Sequence, residues 1–244
     1  MKETADEMYK DQEIGYNFKK RWSLPEVEAV IIGEEPNQIK LFYKVLEDIK
    51  SDKPVMLELG AAEGYYSLIF ENYYKGNRES LNICLEVVPH KCEQIKSNLP
   101  AAKVYNGYAG EWDTTDGDYI NISSGTGLEK IKKYSLKEII NDNDINVYDI
   151  LHVDIQGGER GLIEELMEDN LYRKFNNFFI STHDDIIPGT HNFILEKLRG
   201  KNDIEILIDE PLANTGYGYG DGFIFCTYKN EENKNTGDQA LDGF

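Results

Sequence analysis

Residues 55–67 read Val-Met-Leu-Glu-Leu-Gly-Ala-Ala-Glu-Gly-Tyr-Tyr-Ser: an apolar run that meets an acid, turns between Gly60 and Gly64 and opens a Tyr-rich helical stretch. A strand, a glycine turn and a helix in that order let an α/β protein bring its backbone close to a nucleotide-like ligand. Gly60, Ala61 and Ala62 are small enough for a tight turn and a close approach. Glu58, at the strand end, can accept hydrogen bonds from a cationic or hydroxylated ligand.

The rest of the chain repeats this alternation. Apolar runs at Leu81–Glu86, Lys103–Asn106, Val147–Asp154, Asn177–Thr182, Ile204–Ile208 and Gly222–Tyr228 read as strands. Helical periods fall at Tyr66–Tyr74, Pro89–Asn98, Ser135–Asn141, Glu159–Glu168 and Thr190–Leu198. Ahead of the first strand, Ile39, Phe42, Leu46 and Ile49 recur at helical spacing after Pro36, which suits a first turn. The fold expected is α/β: a mostly parallel, seven-stranded Rossmann-like sheet with helices on both faces. Only the last two strands lack a helix between them, which implies a reversed final strand. The division expected is a helical extension over 1–50, with pieces at Glu3–Phe18 and Pro25–Ile32 packed outside the core. A ligand-binding domain follows over 51–228 and a polar, disordered tail over 229–244. Two further segments, Ala109–Gly127 and Pro211–Asp221, read as loops because they are polar and rich in glycine.

Charge narrows the partners. With 26 basic and 45 acidic residues, a formal −19, the chain repels phosphate backbones and anionic membranes. Neither nucleic acid nor membrane is expected as a partner, although Lys130, Lys132 and Lys133 form a local basic group. Three cysteines (Cys84, Cys92, Cys226) without a Cys-x-x-Cys pair argue against a disulfide framework and for a reduced, cytoplasmic setting. Oligomeric state is not legible.

Four places carry chemistry. Glu86 ends the second strand, 22 positions after Gly64, where a carboxylate can take both ribose hydroxyls of a nucleoside. Asp154 ends the fourth and is followed by Gln156-Gly157-Gly158-Glu159 and a helix; it reads as a ligand contact or as an anion at that helix start. His183 follows the fifth strand. With Asp184 and Asp185 it reads as a helix-capping loop in preference to a hard-metal cluster. Tyr108, past the third strand, is placed to flank a flat ring or to pack on the surface. His152 reads as a core imidazole; His90 and His191, at helix starts, read as surface residues. Asp142-Asn143-Asp144 lacks the glycine and terminal glutamate of a calcium loop and reads as a solvated helix end.

Acidic-x-Gly-x-x-x-Gly at Glu58–Gly64 resembles the first motif of class I S-adenosylmethionine-dependent methyltransferases. It differs from the Gly-x-Gly-x-x-Gly of dinucleotide dehydrogenases. The chain resembles the FkbM family in particular, whose fourth strand reads Leu-Lys-Ile-Asp-Val-Glu-Gly-Ala-Glu. Asp154, Gly157 and Glu159 match that pattern, while His152, Gln156 and Gly158 depart from it. Glu58, Gly60, Ala61, Gly64, Tyr65 and Ser67 suit the family's glycine loop, with Ala62 where Asn is usual. Glu86 suits its ribose acid, followed by Val87 in place of Pro; Ile180-Ser-Thr-His183 resembles its Glu-x-His, with Ser181 in place of Glu. The resemblance implies S-adenosyl-L-methionine as cofactor, held by Glu58, Gly60, Ala61, Gly64, Tyr65, Glu86, Tyr108 and Asp154. It implies O-methylation of a sugar or small-metabolite hydroxyl. His183 would act as base or acceptor-orienting group, and Asp154 would meet the cofactor's amino-acid end or orient the acceptor. A non-catalytic nucleoside-binding module is the alternative, since Ala62, Gln156 and Ser181 replace polar or acidic family residues. A nicotinamide-dependent oxidoreductase is the third reading.

Overall fold

The computed structural model describes residues 23–111, 119–124, 127–211 and 221–229. Helices α1 (Leu24–Glu34) and α2 (Pro36–Asp48) lead into β1 (Val55–Leu59), α3 (Tyr65–Tyr74), β2 (Leu81–Glu86), α4 (Pro89–Asn98) and β3 (Lys103–Tyr108). An antiparallel pair, β4 (Tyr119–Ser124) and β5 (Gly127–Lys133), follows. Then come α5 (Leu136–Asn143), β6 (Tyr148–Val153), α6 (Glu159–Glu168), β7 (Phe175–Thr182), α7 (Thr190–Arg199), β8 (Ile204–Glu210) and β9 (Gly222–Tyr228).

The described strands form one sheet in the order β4-β5-β3-β2-β1-β6-β7-β9-β8. The ladders from β3 through β2, β1 and β6 to β7 are parallel, whereas β9 runs antiparallel to both β7 and β8. The reversed final strand is therefore present. The count is not the expected seven. Nine strands are described because the segment from Ala109 to Gly127 is not all loop: 119–124 pair with 127–133, and β5 extends β3. Ile120 lies across from Ile131 in that pair, a period-two alternation that the glycine-rich composition obscures.

The sheet is covered on both faces. One cluster joins Val55, Leu57 and Leu59 to Leu136 and Ile139 of α5, Leu162 and Leu166 of α6, and Ile194 and Leu198 of α7. The opposite cluster joins Met56, Ile150 and Phe179 to α1, α2, α3 and α4. Phe42 of α2 is wholly buried, with its ring edge-on to Tyr66 and Phe179 at centroid distances of 5.0 and 5.4 Å. Each such pair adds about 0.5–1.5 kcal/mol beyond area burial, so α2 is clamped to α3 and β7 at once. α1 does not lie outside the core as expected, since its Val27 is fully buried. The segments 1–22, 212–220 and 230–244 lie outside the described residues, and with them the expected Glu3–Phe18 helix, most of the Gly/Tyr loop and nearly all of the tail. No helix among the described residues is long and apolar enough to cross a membrane.

Candidate functional site

After β3 the chain returns to place β6 on the other side of β1. This reversal opens a crevice beyond the C-terminal ends of β1 and β6, the usual ligand position in such sheets. The glycine turn follows β1 and Asp154 follows β6. Two backbone bonds fasten them: the Gly60 amide donates to the Leu85 carbonyl at 2.9 Å, and the Asp154 amide to the Leu59 carbonyl at 2.8 Å. Gly60 has φ +79°, and a Cβ there would sit 1.7 Å from the Asp154 carbonyl oxygen. Only glycine allows the two loops to meet.

Beside this junction is a cleft of about 640 Å³, its open mouth included, lined by Gly60, Ala62, Glu86, Lys91, Tyr108 and Asp154 among others. Glu86 is aimed by two backbone amides: Ala62 N–H donates to one oxygen at 2.8 Å and Val88 N–H to the other at 2.7 Å. Each oxygen keeps a lone pair for a further donor. Burial raises the Glu86 pKa, and nearby Lys91 and the two amides pull it back. Ala62 and Gln156, on facing loops at the rim, both have positive φ, +46° and +49°. Non-glycine residues in that region mark backbone shaped by its surroundings.

Four of the residues singled out from sequence, Gly60, Glu86, Tyr108 and Asp154, line this cleft; Glu58, Ala61, Gly64 and Tyr65 do not. Gly64 closes the turn by donating to the Ala61 carbonyl at 2.6 Å, and Tyr65 begins α3. The Glu58 side chain is buried beneath the turn, where its carboxylate accepts from the Ser67 amide and hydroxyl. It anchors the start of α3. Burial pushes Glu58 up to about 8, above the 4.5 of a free glutamate, despite the Ser67 bonds. Its stabilising share is thus complete below pH 4.5 and is lost as pH rises through 8. Glu58→Gln, neutral at every pH, is expected to gain at least about 1 kcal/mol on the wild type between about pH 5 and about pH 9. Urea unfolding at both pH values measures this, and a constant difference between the two proteins would sink it.

A second group adjoins the cleft at Asp154. His183 is 2% exposed. Its Nδ1 is 2.5 Å from Glu159 Oε1, and its Nε2 faces Asp154 Oδ1 at 3.2 Å and Asp221 Oδ2 at 3.6 Å. Glu159, itself fully buried, is fixed by the Gly157 amide at 2.9 and 3.1 Å. Burial pulls the imidazole down, but Asp154 and Glu159 outweigh it and hold His183 at about 11. His183 is therefore a cation at neutral pH. Burial also opposes ionisation of Asp154, yet His183 keeps its carboxyl below the usual range. Asp221 is lifted by burial to about 6 against the pull of His183. Three neighbouring groups are thus shifted in different directions, His183 and Asp221 up and Asp154 down, the pattern that assigns acid and base roles.

Sequence reasoning passed over Lys91 and Asp221. Lys91, in the first turn of α4, reaches the cleft and lies 3.8 Å from Glu63. Asp221 comes to His183 because Thr182 pairs with Gly222 across β7 and β9; an acid just ahead of a reversed strand was the available signal. His191 is not a surface residue: it is 1% exposed and bonded on both ring nitrogens. His152 is buried as expected, 3.2 Å from the Gln38 amide and 4.3 Å ring to ring from Tyr66, and burial lowers it to about 4. Asp184 accepts the His191 amide at 2.7 Å, in the first turn of α7.

No protein-family model and no curated protein matches the chain. Among solved structures, a protein proposed to be an O-methyltransferase from Klebsiella pneumoniae superposes with a TM-score of 0.52. It is 10% identical over 93% of this chain and 96% of its own. The fold is that of a Rossmann-like methyltransferase. An O-methyltransferase from Bacillus cereus, solved in complex with SAH, gives a TM-score of 0.49 at 13% identity over 92% of this chain and 96% of that one. Methyltransferase FkbM from Methylobacillus flagellatus KT gives 0.49 at 17% identity over 73% of this chain. This chain spans only 44% of that protein. At these identities the likeness is one of fold; chemistry has to be argued from the site.

Proposed function

We propose that this methyltransferase-like fold is an active, S-adenosyl-L-methionine-dependent methyltransferase that transfers the methyl group to a hydroxyl of a sugar or small metabolite. The observation that carries the reading is Glu86: a buried carboxylate, aimed by two amides, beside a glycine turn that lets backbone reach the ligand. Its donor set fits the cofactor. Glu86 would take the two ribose hydroxyls, Tyr108 would flank the adenine, and the carboxylate of Asp154, about one-third exposed, would take the ammonium of the amino-acid end. The cofactor supplies an activated methyl on a sulfonium; the protein has to position the acceptor and remove its proton.

Of the two roles open to His183, its charge suits the orienting one. A cation held between carboxylates donates from Nε2 and is poorly placed to accept a proton. Asp221, lifted toward neutrality and about one-fifth exposed, is the better proton acceptor. The nicotinamide reading lacks support in the sheet, where β9 is inserted antiparallel between β7 and β8.

The test is incubation with S-adenosylmethionine and a panel of saccharides, polyols and phenols, read by mass spectrometry. A methyl ether is expected in one class, with kcat reduced roughly 10²–10⁴-fold in Asp221→Asn. Cofactor binding without transfer to any hydroxyl would favour the non-catalytic module, and methylation of nitrogen would remove the hydroxyl assignment.

A further inference from the structure

His191, the second residue of α7, joins the segments that flank His183. Its backbone amide donates to Asp184 Oδ1 at 2.7 Å, and its Nδ1 lies 2.9 Å from Thr182 Oγ1. Its Nε2 lies 2.9 Å from Asp209 Oδ1 on β8, and Arg199 holds the other oxygen of Asp209 at 2.9 Å. Nε2 thus faces the Asp209 carboxylate and Nδ1 the Thr182 hydroxyl, which can donate or accept. Thr182 and His191 are 0% and 1% exposed. Gly222 packs against the same bond: a Cβ there would stand 2.3 Å from Thr182 Oγ1 and 2.9 Å from His191 Nδ1. Gly222 pairs with Thr182 and directly follows Asp221.

We propose that His191 is a positioning residue: through Thr182, Asp184 and Gly222 it fixes the spacing between His183 and Asp221. One residue, by its ring on Thr182 and its backbone amide on Asp184, thus holds both neighbours of His183 and abuts the glycine that delivers Asp221. The proposed transfer chemistry needs that spacing, because His183 Nε2 and Asp221 Oδ2 would share one acceptor hydroxyl. The inference rests on the assignment of these two side chains to the acceptor end of the site. An ordinary core histidine would support α7 and β8 without moving His183.

The test reads His183 itself, by long-range 1H–15N spectra of protein labelled in histidine, with pH titrations of wild type, His191→Ala, His191→Asn and Thr182→Val. The groups facing His183 are Asp154, Glu159 and Asp221, so its titration reports their placement. In wild type the imidazolium pattern is expected to persist above about pH 9. In His191→Ala and Thr182→Val the midpoint is expected to fall by about one unit or more. His191→Asn, which puts an amide near the Nδ1 position, should restore part of the shift. Thr182→Val keeps the experiment decisive if His191→Ala does not fold, because it removes one hydroxyl. His183 signals that stay put in Thr182→Val and in any folded His191→Ala would overturn the proposal. Titration with S-adenosylhomocysteine separates the two ideas: a wild type that binds none sinks the cofactor assignment and leaves the His183 result to decide the positioning role.

Discussion

A Gly60→Ala protein is expected to lose roughly 2–5 kcal/mol of stability and its affinity for S-adenosylhomocysteine. Two costs add. The φ of +79° charges an L-residue about 1–2 kcal/mol for left-handed backbone. A methyl group 1.7 Å from the Asp154 carbonyl then forces β1 and β6 apart at their ends, an overpacking cost of roughly 1–3 kcal/mol. The displaced backbone is that of Asp154, so the cleft changes shape with the fold. Gly76 provides the control. It has φ +86°, and a Cβ there would meet nothing within 4 Å, so Gly76→Ala carries only the first cost. Urea unfolding of both variants measures the difference, and equal losses would mean that the Gly60 contact contributes nothing.

Much of this was legible because it is local. Residues 55–67 carry their own strand, turn and helix signals, and Glu86 ends an apolar run. Glu58 was harder to interpret because strand parity decides where a strand-end acid points. It pairs with His152 on the face that carries α3, so it meets Ser67 and not the cleft. His191 looked exposed by its place at a helix start, yet it is in step with Ile194, Leu195 and Leu198 on the buried face of α7. The helical period held that information. The His183 group was beyond local reading: Asp154 and Glu159 share the β6–α6 connection but Asp221 precedes β9, and sheet order and strand reversal bring both segments to one imidazole. The β4–β5 pair was hidden by composition, because glycine, threonine and aspartate outweighed a weak alternation.

Glu86→Ala is the second large effect expected, and it falls on binding. Two hydrogen bonds from hydroxyls to a buried carboxylate contribute roughly 1.5–3 kcal/mol each, so their joint loss weakens binding by about 100-fold or more. The substitution also strips the Ala62 and Val88 amides of their acceptor. Glu86→Gln is the finer probe: its one remaining carbonyl oxygen can still take an amide or a hydroxyl, and it should fall between Ala and wild type. Lys91 bears on the same carboxylate, since it opposes the upward shift that burial imposes; the alanine variant leaves that ammonium with Glu63, 3.8 Å away.

The most direct measurement is calorimetric titration of wild type and Glu86→Ala with S-adenosylhomocysteine, with NADH as the control ligand. The expected result is micromolar binding of S-adenosylhomocysteine by wild type, loss of that binding in Glu86→Ala, and no heat from NADH. Binding of NADH in its place, or S-adenosylhomocysteine bound equally by both proteins, would contradict the assignment.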